Sequence, residues 1–339
     1  MKKKISRYRA LILFGIIFTI MLAGIFYRVY RGILKNAGLL EGKEETVVFD
    51  KHYVMIVDGS YADYWNDVYA VASEAAAENN AYIELKMRDM DSDYTMSDLM
   101  SKSIYSNVDG IILQYTGENG LDKKINEAAK EGIPVVTLLN DAPETGRISY
   151  VGINAYSLGQ VYTDLFAEEF TGDDRSDSIV FFITDTDPSR NQQQIFNQAR
   201  AGILSCVPAG GHISISSVDI PADILFSASE VIRSNFKYSE ECPDYVVCFD
   251  TATTEIVYQT LLDYNMLGDV KVLGYYKSDI IAKGIEDDNV IATLMLDAND
   301  MGMYAVEALV DYSTDGYSNA YYTVPSKLVK KGDPEIAQE

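Results

Sequence analysis

The sequence predicts an α/β protein built from two doubly wound, Rossmann-like lobes. Short apolar runs alternate with amphipathic helical stretches from about residue 51 onward, and this alternation is typical of doubly wound folds. The apolar runs are continuous, as expected for parallel strands buried on both faces. About ten strands are expected, which exceeds one ordinary open sheet, so two sheets are predicted.

The predicted strands are the apolar runs between turn residues and helices. In chain order they are 53–57, 81–85, 110–113, 134–139, 179–184, 245–249, 270–274 and 290–295. The predicted helices are 65–79, 121–131, 158–171, 191–205, 254–267 and 300–314. The second helix places Leu121, Ile125 and Ala128 on one face, and Gly132 ends it before the next strand.

The N-terminal segment differs from the body in charge and hydropathy. Eight of the 28 basic residues and none of the 51 acidic residues lie in the first 35 positions, so residues 36–339 carry a net charge of −31. Residues 10–27 contain no charge and are nearly long enough to span a bilayer as a helix. The basic residues before this run place residues 1–9 in the cytoplasm. We predict a basic tail at 1–9, a transmembrane signal-anchor at 10–27, a linker at 28–50 and an extracytoplasmic body.

A cleaved signal peptide is the alternative interpretation of the apolar run. The run is longer than a typical signal-peptide core, and no clean small-x-small cleavage pattern follows it. A lipoprotein would need a cysteine where Ile25 stands. An exported body also leaves open a disulfide between Cys206 and Cys242, whereas Cys248 lies in an apolar run and is predicted to be a core residue.

Composition excludes several classes of function for the body. Its negative charge repels phosphate backbones, which argues against nucleic-acid binding. A hydrophobic content of 47% is enough to form a core, and three cysteines exclude a disulfide-rich scaffold. With only His52 and His212, neither a histidine-built metal site nor a catalytic triad is expected. No Gly-x-Gly-x-x-Gly motif is present, and no cofactor or metal is predicted.

The residues that follow the predicted strands are the first candidates for a site, because ligands of open α/β sheets bind beyond the carboxyl ends of the strands. They are 58–65, 114–115, 140–141, 185–191, Asp250, Tyr276 and Asp297. This set is rich in carboxylates, amides and aromatic rings, with Arg190 as its main cation. Such a mixture suits a neutral sugar or polyol.

Several ordered segments resemble one known family. They are 108–113, 125–137, 140–143, 150–159, 270–275, 300–302 and 323–329. In this order, over about residues 51–332, the chain is similar to the type I periplasmic binding proteins, which include the ribose-binding protein and the ligand domain of the lac repressor. The resemblance implies two lobes joined by three crossovers, with a ligand in the cleft and a hinge that closes on it.

The resemblance also implies lobe boundaries and a function. The crossovers fall near 151–154, 296–297 and 323–325, so the lobes comprise 51–152 plus 298–322 and 153–297 plus 323–333. A receptor of this kind is expected to bind a small carbohydrate without catalysis. Its partner would be the permease of an ABC sugar importer or a membrane histidine kinase that it serves as sugar co-receptor.

Three ligand contacts are nominated in the N-terminal lobe by the resemblance. Tyr64 and Trp65 match the family's aromatic pair after the first strand, and Asp141 matches a variant of its acidic residue after the fourth strand. Each has a structural alternative as well. Trp65 could pack between the lobes, and Asp141 could be a turn residue.

Six further contacts are nominated around the second lobe. They are Arg190, Asn191, Asn197, Asp250, Tyr276 and Asp297. The first three compete for one arginine position of the family. Asp250 resembles an Asn or Asp at a strand end, but it could instead cap the next helix. Tyr276 replaces the family's Asp, and Asp297 follows the position of its Gln, so the ligand need not be ribose-like.

Other functions are weighed against sugar binding. A DNA-binding regulator would need a helix-turn-helix before residue 50, where the apolar span lies instead. A phosphatase-like enzyme could use Asp185 and Asp187, which follow a strand as Asp-x-Asp does in the haloacid dehalogenase class. Pro188 follows where a glycine and a Thr or Ser are expected, so no enzyme is predicted. A receptor for a non-sugar ligand, such as an autoinducer, is the remaining alternative.

Overall fold

The computed structural model describes residues 48–59, 62–88, 94–170, 176–184, 191–208, 210–221, 225–237 and 242–334, together with Met21, Gly24, Tyr27 and Arg28. Residues Phe49–Glu339 form one compact unit. The predicted signal-anchor at 10–27 lies almost entirely outside the described residues. Within the described part of the chain, no helix has the length and apolar character needed to cross a membrane.

Strands and helices alternate along the whole body. The first elements are β1 (Lys51–Asp58), α1 (Ala62–Glu78), β2 (Ala81–Arg88), α2 (Met96–Tyr105), β3 (Gly110–Gln114), α3 (Leu121–Lys130), β4 (Val135–Leu139) and β5 (Ser149–Gly152). The next are α4 (Ala155–Glu169), β6 (Ser176–Thr184), α5 (Asn191–Cys206), β7 (His212–Ile220), α6 (Leu225–Lys237), β8 (Tyr245–Cys248) and α7 (Thr251–Asp263). The last are β9 (Lys271–Tyr275), α8 (Asp279–Glu286), β10 (Val290–Leu296), α9 (Ala298–Asp315), β11 (Tyr321–Thr323) and β12 (Ser326–Val329).

The strands form two six-stranded sheets, and each sheet is the centre of one lobe. The first sheet has the order β11-β5-β4-β3-β1-β2, and all of its pairs are parallel. The second has the order β12-β10-β9-β8-β6-β7, in which only β12 is antiparallel to its neighbour. These sheets confirm the predicted α/β fold with two lobes.

The chain passes between the sheets at three places. It leaves the first sheet after Gly152, returns after Leu296, and crosses again between β11 and β12. The crossing segments are hydrogen-bonded to one another: Val324 N–H donates to the Gly152 carbonyl at 2.8 Å, and Asp297 N–H donates to the Pro325 carbonyl at 3.2 Å. The three segments therefore lie side by side where the lobes meet.

Helices cover both faces of each sheet. In the first lobe, α1 and α9 pack on one face, and residues of α2 and α3, including Met96, Met100 and Ile125, fill the other. Gly302 allows α9 to approach α1 closely, because a Cβ atom at this position would lie 2.6 Å from the Val68 carbonyl oxygen. The second lobe has a corresponding pair of apolar clusters.

The strands and helices predicted for the body are all present, and the elements that the prediction missed lack a continuous apolar pattern. Strand β7 is an edge strand whose side chains are mostly exposed or half-buried, so it contains no apolar run. Helix α2 begins with a capping box, in which Thr95 accepts from Asp98 N–H and the Asp98 carboxylate accepts from Thr95 N–H. This pattern is a recognisable helix start that could have revealed α2.

All three cysteines are free thiols. The possible pair of Cys206 and Cys242 is therefore not a disulfide in this structure. Cys248 lies in the core of the second lobe, and burial raises the pKa of its thiol. It is a small core residue, as its apolar surroundings in the sequence predict.

Candidate ligand-binding cleft

The carboxyl ends of the strands carry the candidate site. Asp58 and Gln114 end β1 and β3 of the first sheet, and Asp250 and Tyr276 follow β8 and β9 of the second. The two sets of strand ends are in contact, because the rings of Tyr64 and Tyr276 meet across the lobes with their centroids 4.7 Å apart. The two sets of strand ends thus meet at the position where open α/β sheets bind ligands.

Tyr64 and Trp65 occupy the first turn of α1, directly after the end of β1. Their exposed fractions are 4% and 0%, and their rings pack against each other at 5.1 Å. The Tyr64 hydroxyl and the Trp65 indole Nε1 are both buried without a hydrogen-bond partner. Folded proteins leave few such groups unsatisfied, so these two atoms are available to a bound molecule or water. Trp65 could therefore both pack between the lobes and bind a ligand, because its ring is buried while its indole N–H has no acceptor.

Tyr276 brings a side chain of the second lobe into the apolar cluster of the first. Its backbone has a φ of 61°, in the left-handed region, which is unusual for a bulky residue and often marks a functional position. Tyr276 N–H donates to the Leu294 carbonyl at 2.7 Å, and the Thr293 hydroxyl donates to the Tyr276 carbonyl. Burial, followed by the charges of Asp67 and Asp63, raises the pKa of the Tyr276 phenol.

Asp250 and Asp297 are N-cap residues of helices that start at the cleft. Asp250 accepts from Thr253 N–H at 2.6 Å, and Asp297 accepts from Asn299 N–H at 2.8 Å. Asp250 also accepts from the Thr184 hydroxyl at 2.9 Å, which ties α7 to the end of β6. The helix-cap alternative for Asp250 therefore describes a contact that is present.

Removing the cap at Asp250 is expected to destabilise the second lobe. Asp250→Ala should lower the free energy of unfolding by about 1 kcal/mol, because the Thr253 amide loses its acceptor. Asp250→Asn should cost less, since the amide oxygen can accept the same bond. Urea unfolding of the full chain measures both variants. Asp269→Ala, an exposed residue outside any helix, serves as control, and equal stabilities of all three variants would contradict the capping role.

Asp141 forms an ion pair with Arg147. Arg147 donates through Nε to Asp141 Oδ1 and through Nη2 to Asp141 Oδ2, the latter at 2.8 Å. The exposed side-chain fractions are 7% for Arg147 and 16% for Asp141, so this bidentate pair is largely removed from solvent. A further bond from Arg147 Nη1 to the Ala320 carbonyl joins the pair to the segment before β11. Asp141 thus has a structural partner that the sequence did not indicate.

Two candidates, Asn191 and Asn197, lie in α5. Among the described residues, no contact joins either of them to the aromatic residues. Asn191 is the half-buried first residue of α5, and Asn197 is exposed two turns further on. Arg190 lies outside the described residues, as do Asp185 and Asp187 of the phosphatase alternative. Across the described ranges, no three His, Cys, Asp or Glu side chains are grouped as metal ligands.

Arg88 is a polar residue at the strand ends that the sequence reasoning missed. It ends β2 in register with Asp58, and its Nη2 donates to Asp58 Oδ2. Asp58 N–H in turn donates to Gln114 Oε1 at 2.7 Å. Arg88 could have been nominated from the sequence, because it lies three residues beyond a predicted strand. Its position beside Asp58, however, depends on the pairing of β2 with β1.

Comparison with known proteins places the chain in a family. Residues 53–317 match the family described as periplasmic binding protein domain. A search of curated protein sequences found no match. The matched range covers most of the chain and both sheets.

Several solved structures share this fold, and the similarity extends over nearly the whole length of each of them. GanP, a glucose-galactose binding protein from Geobacillus stearothermophilus, has a TM-score of 0.70 at 21% identity, covering 84% of this chain and 98% of GanP. The XylFII-LytSN complex has a TM-score of 0.66 at 24% identity, with coverages of 84% and 99%. A solute-binding protein from Burkholderia graminis in complex with D-arabinose has a TM-score of 0.68 at 17% identity, with coverages of 84% and 96%. At these identities the likeness concerns the fold.

Proposed function

We propose that this chain, which belongs to the periplasmic binding protein domain family, reversibly binds a small carbohydrate in the cleft between its lobes. Binding and closure about the three crossing segments would be its whole mechanism, with no catalysed reaction. The lobes would comprise 51–152 plus 298–322 and 153–297 plus 323–333. Sugars are named for GanP and for the Burkholderia graminis protein.

The observation that supports a sugar is the pair of unpartnered polar atoms on buried aromatic side chains. The Tyr64 hydroxyl and the Trp65 indole N–H are removed from solvent and lack acceptors. Sugar hydroxyls can accept from both, and aromatic rings can cover the C–H face of a pyranose. The Tyr276 ring on the opposite lobe would contribute to the same enclosure. Asp250, Asp297 and Asp141 would act through the helices and loops that they hold.

The partner is proposed to be a membrane protein. Tethered through residues 10–27 with its body outside the cytoplasm, the receptor would serve either the permease of an ABC sugar importer or a membrane histidine kinase. The fold itself is compatible with assembly, since a periplasmic ribose ABC transporter from Conexibacter woesei and the XylFII-LytSN complex share it. A gene for a permease or for a kinase beside this one would discriminate between the two partners.

Trp65 offers a direct readout of binding. It is the only tryptophan and is fully buried, so a sugar that bonds its indole N–H should change its fluorescence. Titration of the full chain with glucose, galactose, ribose, xylose and arabinose, together with thermal-shift measurements, tests the proposal. At least one sugar is expected to raise the melting temperature and alter the emission. No effect from any of them would contradict carbohydrate binding.

Trp65→Phe isolates the hydrogen bond from the packing. Phenylalanine retains an aromatic ring in the core but has no N–H, so the affinity for the sugar should fall about tenfold, as expected for one lost hydrogen bond. Calorimetry measures this affinity without the fluorescent side chain. Tyr105→Phe removes a hydroxyl from a side chain that is 83% exposed and should leave the affinity unchanged. An unchanged affinity in Trp65→Phe would remove Trp65 from the site.

A further inference from the structure

The outer edge of the second sheet is formed by β7. All nine residues of β7 pair in parallel with β6, from His212 opposite Ser176 to Ile220 opposite Thr184. β7 ends the strand order of its sheet, so no strand of the described residues pairs with its other side. An edge strand presents a row of backbone N–H and C=O groups that point away from its sheet. β7 therefore offers an edge that is about 30 Å long, at about 3.3 Å per residue.

The other three sheet edges are protected against pairing with a further strand. Strands β11 and β12 have only three and four residues. Strand β2 is longer, but it carries Glu84, Lys86 and Arg88, and charged side chains are a usual defence of an edge. β7 has neither defence, because its residues 213–218 are Ile-Ser-Ile-Ser-Ser-Val, without charge or proline. Its register with β6 also runs without a bulge.

The apolar side chains of β7 hold the strand in place on both faces of the sheet. Ile213 and Ile215 pack on the apolar cluster that includes residues of α5, and Val218 packs on the cluster of the opposite face. The serines between them are exposed, and they are Ser214, Ser216 and Ser217. Because the strand is already ordered, little conformational entropy is lost when a second strand pairs with it.

β7 lies in a stretch of the chain that has no negative charge, within an otherwise acidic body. Residues 188–218, which contain all of α5 and most of β7, include no Asp or Glu, although these make up 51 of the 339 residues. The body from residue 36 onward has a net charge of −31, so two copies of it repel each other over most of their surfaces. At this stretch two copies can approach without opposing carboxylates.

We propose that β7 is a docking surface for a second copy of this chain, whose own β7 pairs with it in the antiparallel direction across a two-fold axis. The second sheets of the two copies would then form one continuous sheet. In a pairing centred on Ser216, Ser214 lies opposite Val218. Asp219 lies opposite Ile213, so the two Asp219 side chains are about 20 Å apart and no charged side chains face each other.

The size of this surface sets the expected strength of the dimer. The edge of β7, with α5 packed beside it, is roughly 30 Å long and roughly 20 Å deep, or about 600 Å² for each copy. This area is at the lower limit of a specific interface between proteins. A dissociation constant on the order of 10 µM is therefore expected.

Sedimentation velocity of the full chain, from about 1 to about 100 µM, tests the proposal, because these concentrations bracket the expected dissociation constant. The mass should shift from monomer to dimer over this range. Ser216→Lys places two lysines opposite each other at the centre of the paired edge, and it should weaken the dimer about tenfold. Hydrogen exchange of the β7 amides should be slower at the higher concentration, because their outward N–H groups gain acceptors in the dimer.

The control is Ser106→Lys, which adds the same charge at an exposed position of the first lobe and should leave the dimer unchanged. Urea unfolding verifies that both variants remain folded. A chain that stays monomeric at about 100 µM would overturn the proposal. A dimer that persists in Ser216→Lys would also overturn it, because association would then arise elsewhere, such as at the apolar residues 10–27. The same holds for a dimer that both variants weaken equally, or that forms without slower exchange in β7.

Discussion

Replacing Gly302 with alanine is expected to lower the free energy of unfolding by about 1–3 kcal/mol, the usual cost of overpacking a core. The added Cβ would lie 2.6 Å from the Val68 carbonyl oxygen and 3.0 Å from the Ala72 backbone nitrogen. Both atoms belong to the backbone of α1, so no side-chain rotation can make room. Helices α1 and α9 would have to separate over the buried face that contains Trp65.

The sign of this change distinguishes packing from helix propensity. At an open helical position, glycine to alanine stabilises a helix by up to about 1 kcal/mol. A loss of stability in Gly302→Ala is therefore opposite to what helix propensity alone predicts. Urea unfolding of the full chain measures the difference, and Met303→Ala on the same helix, at a side chain that is 45% exposed, should stay within about 0.5 kcal/mol of the parent. Stabilisation by Gly302→Ala would show that α9 does not contact α1 in this way.

Alkaline pH is expected to unfold the body steeply. Burial is the main cause that raises the pKa of the Tyr64, Tyr162, Tyr275 and Tyr276 phenols, with neighbouring groups, such as Asp250 for Tyr275, adding to it. An unfolded tyrosine titrates near pH 10, so the folded state holds these protons more tightly than the unfolded state. Their contribution to stability is fully present below about pH 10 and is lost as the pH rises from there towards the folded pKa.

The expected slope follows from proton linkage. Each such phenol removes about 1.4 kcal/mol of stability for every pH unit above about 10, until its folded pKa is reached. Several phenols together exhaust a typical stability of about 5–15 kcal/mol within one or two pH units. Urea midpoints at a series of pH values, with tyrosinate absorbance followed in parallel, measure this loss. The buried phenols should ionise together with unfolding, and ionisation that precedes unfolding would contradict the prediction.

Tyr162→Phe is the matched control for the alkaline transition. Tyr162 is fully buried in the second lobe, and its hydroxyl has no hydrogen-bond partner. Its removal should cost little at neutral pH, because no bond is lost and a polar atom leaves the core. Above about pH 10 the variant should lose stability with a slope lower by one proton. An unchanged slope would mean that Tyr162 already ionises in the folded protein.

The elements that the sequence predicted are those whose signal is local. Strands β1, β3 and β8 are buried along almost their whole length, and their apolar runs are visible directly in the chain. Strand β7 was missed because an edge strand has one side open to solvent and needs no such run. Helix α8 connects two recognisable parallel strands, β9 and β10, so its presence could have been inferred from that connection alone.

The position of the candidate site follows from local sequence patterns, but its contacts follow from them only in part. Trp65, Tyr64 and Tyr276 were nominated from their places after strands, and they lie together in one cluster. The bonds of Asp250 and Asp297 to the helices that follow them are also local. The partners of Asp141 and Asp58 were not predictable in this way, because each pairs with an arginine chosen by the tertiary fold.

The sequence by itself determined the strand–helix alternation and the two mainly parallel sheets, and it predicted the edge at which a ligand would bind. These properties follow from burial, which repeats along the chain with the period of each element. Only the tertiary structure decided which polar atoms at that edge are satisfied and which remain free, such as Trp65 Nε1 and Arg88 Nε. Hydrogen bonding acts over about 3 Å between residues distant in the chain, so it depends on strand order and crossover position, which no local pattern encodes.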